Sequence, residues 1–335
     1  MRQAAARRLG LGGCLLALLA ACGGGGGGSD AAATEALAAP PTVQEQQCQA
    51  AGWQRLVVQA AGLQRLVLWK APPGPWSGGA IVVMHGGGGA HTNFCVANVE
   101  LIAPQVRFTA AALDAGHAVF LLDSSDRVTD RDGRLCGKVW DDEVRARDNL
   151  DLPFIGQVLR QSIPSLRPAG SQRAIFLTGL SSGGFMAVRA ATHFADLVSG
   201  FVPVSAGNPY GWQRDCTPRA GDRSNVFGIA VDSETGRPIS EPGACSAATE
   251  RGEQPWDGAA ARPKPPHRLF HHAQDGILDL SCVEKLRQRL LARGYAESPP
   301  LRLDDGARRA EAHYWLDAYN APLLATLASM RGSPR

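Results

Sequence analysis

The sequence predicts an α/β fold, a mostly parallel β-sheet with helices on both faces and one loop-rich insertion. Three observations carry this expectation. Short runs that are apolar at every position (Ala80–Met84, Ala118–Leu122, Phe201–Val204) recur along the chain, and a strand without polar alternation is buried on both faces. Stretches with helical apolar spacing separate these runs, as crossovers between parallel strands require. From about Gln47 onward roughly 290 residues remain, enough for one large α/β domain.

Taken in order, Gln54–Val58 and Gln64–Trp69 are β-branched or Leu-rich and flank Ala60-Ala61-Gly62, which reads as an opening hairpin. Ala80–Met84 is a buried strand. Pro104–Ala115 has helical spacing and leads into the strand Ala118–Leu122. Leu152–Ile163 is helical and is followed by the strand Ala174–Thr178 and a helix from Gly183 to Phe194. Phe201–Val204 and Leu269–His272 are further strands, and Cys282–Arg293 and His313–Met330 are helices. Residues 206–266 break the rhythm, being rich in Gly, Pro, Asp and Arg. So long a loop inside a compact domain is usually functional, and Tyr210, Trp212 and Trp256 within it are candidates to line a pocket or simply to pack.

The N-terminus has a different character. Arg2, Arg7 and Arg8 precede an apolar run from Leu9 to Ala21, too short to cross a bilayer core of ~30 Å as a helix, so residues 1–21 read as an export signal. The run ends in Leu19-Ala20-Ala21-Cys22, which resembles a bacterial lipobox. That resemblance implies that Cys22 becomes the acylated first residue of an exported, membrane-anchored protein. Gly23 in the next position is compatible with outer-membrane delivery. Gly23–Gly28 and the Ala-rich stretch after them have too little apolar side chain to offset their conformational entropy, so residues 22–46 are expected to be a flexible tether.

Loss of residues 1–21 removes three arginines from 34 basic residues and leaves 31 against 31 acidic ones. A balanced chain has no electrostatic footprint for nucleic acid. Of eight cysteines, Cys14 lies in the signal and Cys22 in the lipobox, which leaves Cys48, Cys95, Cys136, Cys216, Cys245 and Cys282. An even number in an exported chain suggests three disulfides. Cys216–Cys245 would close the insertion and Cys95–Cys136 would join two loops at one sheet edge, with Cys48–Cys282 left by elimination. No CxxC or His/Cys cluster is present, so neither a metal nor a cofactor is expected.

Chemistry concentrates in Gly179-Leu180-Ser181-Ser182-Gly183-Gly184. An apolar strand runs into this GxSxG motif and a small-residue helix runs out, which is the strand-turn-helix of a nucleophile elbow with Ser181 at its apex. The elbow sets Ser181 at a helix N-terminus, whose dipole favours developing negative charge, and makes the Ser182 N–H an oxyanion donor. Upstream, the strand Ile81–Met84 ends in His85 and four glycines, which looks like the oxyanion loop of lipases and esterases. Gly87, with Gly88 as alternative, would supply the second donor. No Gly-Lys-Ser/Thr follows, so it is not a phosphate loop.

A nucleophile of this type needs a base and an acid later in the chain. Asp275, in a turn beyond the strand Leu269–His272, is the acid, with Asp279 as competitor and Asp304 and Asp305 behind it. His313, alone among the histidines, lies beyond His272 and is the base. The His271-His272 pair, lacking a second ligand cluster, reads as packing or a structural hydrogen bond.

With these motifs the chain resembles the polyhydroxybutyrate depolymerase and feruloyl esterase branch of the α/β-hydrolases, over roughly Gln54 to Leu327. The resemblance rests on the His85-Gly86 loop, the Ser181 elbow, His271-x-x-x-Asp275 and the late His313. It implies a secreted serine esterase acting on hydroxyalkanoate polyesters or on acyl groups of plant cell-wall material. Four glycines after His85, and His272 where glycine is usual, depart from the branch and bear on substrate. A peptidase or thioesterase on the same scaffold, or a surface lipoprotein that only binds a ligand, are the alternatives.

Overall fold

The computed structural model describes residues 39–129, 135, 137–142, 148–208, 264–307 and 310–331, all within the unit Ala38–Arg335. The expectations for residues 1–21, Cys22 and the glycine tether, for Cys136, Cys216 and Cys245, and for Tyr210, Trp212 and Trp256 lie outside the described residues.

Eight strands form one sheet: β1 (Gln54–Ala60), β2 (Leu63–Lys70), β3 (Gly79–Met84), β4 (His117–Leu122), β5 (Ile175–Leu180), β6 (Gly200–Val204), β7 (Phe270–His272) and β8 (Leu301–Leu303). Their order is β1-β2-β4-β3-β5-β6-β7-β8. The β1–β2 hairpin is antiparallel and β2 meets β4 antiparallel, while every pair from β4 to β8 is parallel. The predicted α/β fold with a mostly parallel sheet is thus the observed one. Ala61 (φ 50) and Gly62 (φ 72) make the tight turn of the hairpin.

Alternation along the central strands distributes side chains to two cores. From β3 and β4, Val82, Met84, Phe120 and Leu122 face one layer, with α3 (Leu152–Gln157), α5 (Ser182–His193) and α6 (Leu280–Ala292). Ile81, Val83, Val119 and Leu121 face the other, with α2 (Ala103–Asp114) and α8 (Asp317–Met330). A side chain such as Phe120, wholly withdrawn from water, contributes about 1.5–3 kcal/mol. Between α3 and the short α4 (Ile163–Leu166) the helix widens into one π turn, Val158–Ser162. Among the described residues no helix is long and apolar enough to cross a membrane.

Four expectations need correction. The tether does not extend to residue 46, because α1 (Val43–Ala50) begins within it. Thr42 and Glu45 form a reciprocal capping box, and Glu45 and Cys48 are buried. No element is expected between Arg293 and His313, yet β8 lies there, only three residues long and half-exposed. The helix expected over His313–Met330 is two helices, α7 (Ala310–His313) and α8. Between them the chain turns so that Trp315 buries its ring against Phe94 and Phe108.

The fourth concerns the disulfides. Cys48 bonds Cys95, with 5.6 Å between their Cα atoms, which excludes both Cys95–Cys136 and Cys48–Cys282. The pairing follows from α1, which lies against the turn His91–Phe94 and so brings the two cysteines together. Cys282 is also disulfide-bonded.

At the junction of α1 with that turn sits a buried charge network. His91 Nε2 is 3.2 Å from Glu45 Oε1 and its Nδ1 is 3.1 Å from Asp123 Oδ1. Both ring nitrogens face carboxylates, so the imidazolium suits the site. Burial alone would lower the His91 pKa, but hydrogen bonds to Asp123 and Glu45 raise it. The His91 hydrogen bond, more than any other cause, holds Glu45 down at about 2, from an ordinary 4.5. A carboxylate with a depressed folded pKa adds stability above its unfolded value and loses it as pH falls through the folded one. Glu45→Gln is therefore expected to cost about 1.5–3 kcal/mol at pH 6, the value of a buried charged hydrogen bond. The gap from wild type should close as pH drops from 4.5 towards 2. Urea midpoints across that range test this, and a gap independent of pH would show that Glu45 charge does not stabilise the fold.

Candidate active site

Register, more than any single side chain, assembles the site. Met84 pairs with Gly179, Leu180 with Val204, and Val204 with Phe270, so β3, β5, β6 and β7 finish at one edge of the sheet. The segments that leave that edge carry His85–Gly89, Ser181, Ser205 and Asp275. In open α/β sheets the carboxyl edge is where ligands bind.

Ser181 occupies the sharp turn between β5 and α5 with φ 50 and ψ −120, a strained conformation for a residue with a side chain. Its N–H is held by the Val204 carbonyl at 2.9 Å and its carbonyl by the Phe185 N–H at 2.9 Å, so the turn is fixed on both sides. The flanking glycines are needed for space. A Cβ on Gly179 would lie 2.5 Å from the Gly183 carbonyl, and one on Gly183 would overlap the Met84 and His85 carbonyls. The elbow and the end of β3 are pressed together, backbone against backbone.

Ser182 opens α5, where its N–H has no helical carbonyl to meet. Its hydroxyl is engaged, accepting from the Trp140 N–H at 3.0 Å. In the glycine loop the two candidates separate. Gly88 donates its N–H to the Lys138 carbonyl at 2.8 Å, which removes it as the alternative oxyanion donor. The half-buried Gly87 makes no backbone hydrogen bond among the described residues. His85 is buried beneath the loop, its Nδ1 bonded to the Gly86 carbonyl (2.7 Å) and its Nε2 accepting from the Ser124 N–H (3.0 Å).

His313 and Asp275 meet. His313 Nδ1 lies 2.7 Å from Asp275 Oδ2, and both side chains are almost wholly buried. Asp275 Oδ1 accepts from the Ile277 and Leu278 N–H groups at 2.8 and 2.9 Å, which locks the carboxylate plane. Burial would raise its pKa, but the charge and hydrogen bond of His313 lower it. The competing acids are used elsewhere: Asp279 caps α6 through the Ser281 N–H, and Asp305 bonds His272 Nε2 at 3.0 Å. Asp304 is exposed and His313 makes no bond to it.

The two neighbouring histidines divide similarly. His272 accepts from the Gln274 N–H and is a structural hydrogen-bonding residue, as expected. His271 lies behind the dyad, its Nδ1 3.7 Å from Asp275 Oδ2, and burial pushes its pKa down to about 4. It is therefore a neutral ring beside the carboxylate at neutral pH. Among the described residues no group of three or more His, Cys, Asp or Glu could hold a metal.

Sequence reasoning missed Trp140, Lys138 and Asp123, which surround the glycine loop from positions outside any motif. Trp140 donates its indole N–H to the His85 carbonyl at 2.8 Å. Lys138 pairs with Asp123, which also lies 3.4 Å from His85 Nε2. Only the buried-strand-then-Asp pattern, Leu121-Leu122-Asp123, offered a signal, since it places an acid at the same sheet edge.

Neither a family model nor a curated protein matches the sequence. Solved structures do match in shape. Est1E from Butyrivibrio proteoclasticus aligns with a TM-score of 0.50 at 13% identity, over 83% of this chain and 99% of that one. The S-formylglutathione hydrolase of Staphylococcus aureus gives 0.50 at 13% identity, over 84% and 98%. An acylaminoacyl peptidase of Pyrococcus horikoshii gives 0.52 at 12% identity, over 84% of this chain and 42% of that one. At these identities the likeness is one of fold, and the fold is that of the α/β-hydrolases.

Proposed function

We propose that this chain is an exported serine esterase. The observation that carries the reading is the buried His313–Asp275 pair at the same sheet edge as a strained Ser181 elbow. A protein that merely binds has no use for a serine in a costly backbone conformation at the sheet edge that also carries an imidazole fixed by a carboxylate.

In this reading His313 Nε2 takes the proton of Ser181 Oγ as the oxygen attacks an ester carbonyl. Asp275 holds the tautomer with the proton on Nδ1 and stabilises the imidazolium without taking the proton itself. The Gly87 and Ser182 N–H groups receive the oxyanion, His313 returns its proton to the departing alcohol, and water then releases the acyl group by the same steps. The support for an ester over other acyl substrates is the motif resemblance of the His85 and Asp275 segments, since the fold neighbours include a thioester hydrolase and a peptidase. Hydroxyalkanoate oligomers and feruloyl or acetyl esters are the proposed substrate classes. Cys22 is the proposed lipid anchor, and retention in the membrane fraction should be lost in Cys22→Ser.

Turnover of p-nitrophenyl acetate and butyrate, of a matched thioester and of a matched peptide anilide, by the same purified chain, tests the reading. Ester kcat/KM should exceed the anilide value by at least about a hundredfold, some 2.7 kcal/mol of discrimination in the transition state. A faster anilide or thioester would replace the esterase by a peptidase or thioesterase.

A further inference from the structure

We propose that Trp140 is a positioning residue that sets the spacing between the two oxyanion donors, an inference that rests on the esterase reading above. Its two N–H groups reach the two halves of the hole at once. The indole Nε1–H donates to the His85 carbonyl at 2.8 Å, one peptide before the glycine loop, and the backbone N–H donates to Ser182 Oγ at 3.0 Å. The ring itself lies against the His85 imidazole, with centroids 5.3 Å apart, and Trp140 is fully buried. A single residue, through its indole at one end and its backbone N–H at the other, thus ties the segment bearing Gly87 to the residue whose N–H is the other donor.

The same segment fixes the far side of the loop. Gly88 donates to the Lys138 carbonyl at 2.8 Å, and the Lys138 ammonium pairs with Asp123 while reaching the Ser124 carbonyl at 3.3 Å. Asp123 in turn faces His85 and His91, and His91 faces Glu45 of α1. Burial would raise the Asp123 pKa, but the His85 and His91 rings that face it hold it well below the usual range, so this anchor stays charged. Glycine-rich backbone has no side chains with which to hold its own shape. Here the shape is imposed from outside, by residues 138–140 on one flank and by the elbow on the other. Because oxyanion donors act only when aimed at the developing charge, their relative position is felt in the transition state more than in substrate binding.

Trp140→Phe keeps an aromatic ring and the backbone N–H but removes the indole donor. The expected result is a fall in kcat of about tenfold with KM changed less than twofold, the signature of an interaction made in the transition state. Amide exchange at Gly88 and Gly89, the loop residues whose N–H groups are bonded, should speed up while strands β3–β5 keep their protection. Ser182→Ala, which deletes the acceptor of the other Trp140 bond, should give the same pattern and serves if Trp140→Phe does not fold. A folded variant with unchanged kcat and unchanged loop exchange would overturn the proposal. So would a uniform loss of protection with kcat and KM moving together, which marks plain packing. Faster loop exchange in a protein whose wild type hydrolyses no ester would refute the esterase reading and leave the clamp standing.

Discussion

Ser181→Ala is expected to lower ester turnover by roughly five to six orders of magnitude while leaving the fold intact, the loss seen when the nucleophile of a serine hydrolase is removed. The two halves of this expectation have separate physical grounds. The loss follows because Ser182, the adjacent hydroxyl, is already engaged by the Trp140 N–H and opens the helix rather than the turn. It cannot stand in. The fold should survive because alanine has the same Cβ as serine and meets the φ 50, ψ −120 turn with the same strain. Its N–H and carbonyl still bond Val204 and Phe185. Thermal unfolding within a degree or two of wild type, together with the rate, tests the pair. A variant that retains more than a hundredth of wild-type kcat would remove Ser181 from the chemistry.

Asp275→Asn should lower kcat by about ten-thousandfold, with KM nearly unchanged. Ile277 and Leu278 donate to Oδ1, so an asparagine will keep its carbonyl oxygen there and turn its amide NH2 towards His313. His313 Nδ1 must then accept, which places the ring proton on Nε2, where the serine proton has to go. The imidazolium would also lose its countercharge, which lies 2.7 Å away in the wild type. Raising pH would recover part of the rate in the variant as hydroxide takes over deprotonation, whereas the wild type, with Asp275 ionised throughout, should stay level above neutrality. A variant as active as wild type at pH 7 would mean that Asp275 only holds its own loop.

Much of the fold was legible in the sequence because the central strands are buried on both faces, so each stands as a short apolar run bounded by turn residues. The elbow was legible for the related reason that Gly179 and Gly183 are dictated by backbone packing, not by preference. What escaped had weaker local signals. The capping box Thr42-x-x-Glu45 was present, yet the glycine and alanine tract before it made the whole region look like tether. Three-residue β8 has too few positions to show alternation. The disulfide pairing depended on where α1 docks, a tertiary fact that spacing along the chain does not encode. Trp140 stood outside every motif, since a tryptophan that acts through two N–H groups looks in sequence like any other core aromatic. Chain order named His313, and the turn beyond the strand Leu269–His272 named Asp275, while only the structure shows Asp279 capping a helix and Asp305 bonded to His272.

The central claim is that Ser181 is an activated nucleophile. Intact-mass analysis of the purified chain after exposure to a fluorophosphonate, with peptide mapping and Ser181→Ala beside it, tests that most directly. One phosphonyl group per chain is expected, located on Ser181, and none on the variant. An unmodified, folded wild type, or a label on Ser182 or any other residue, would contradict it.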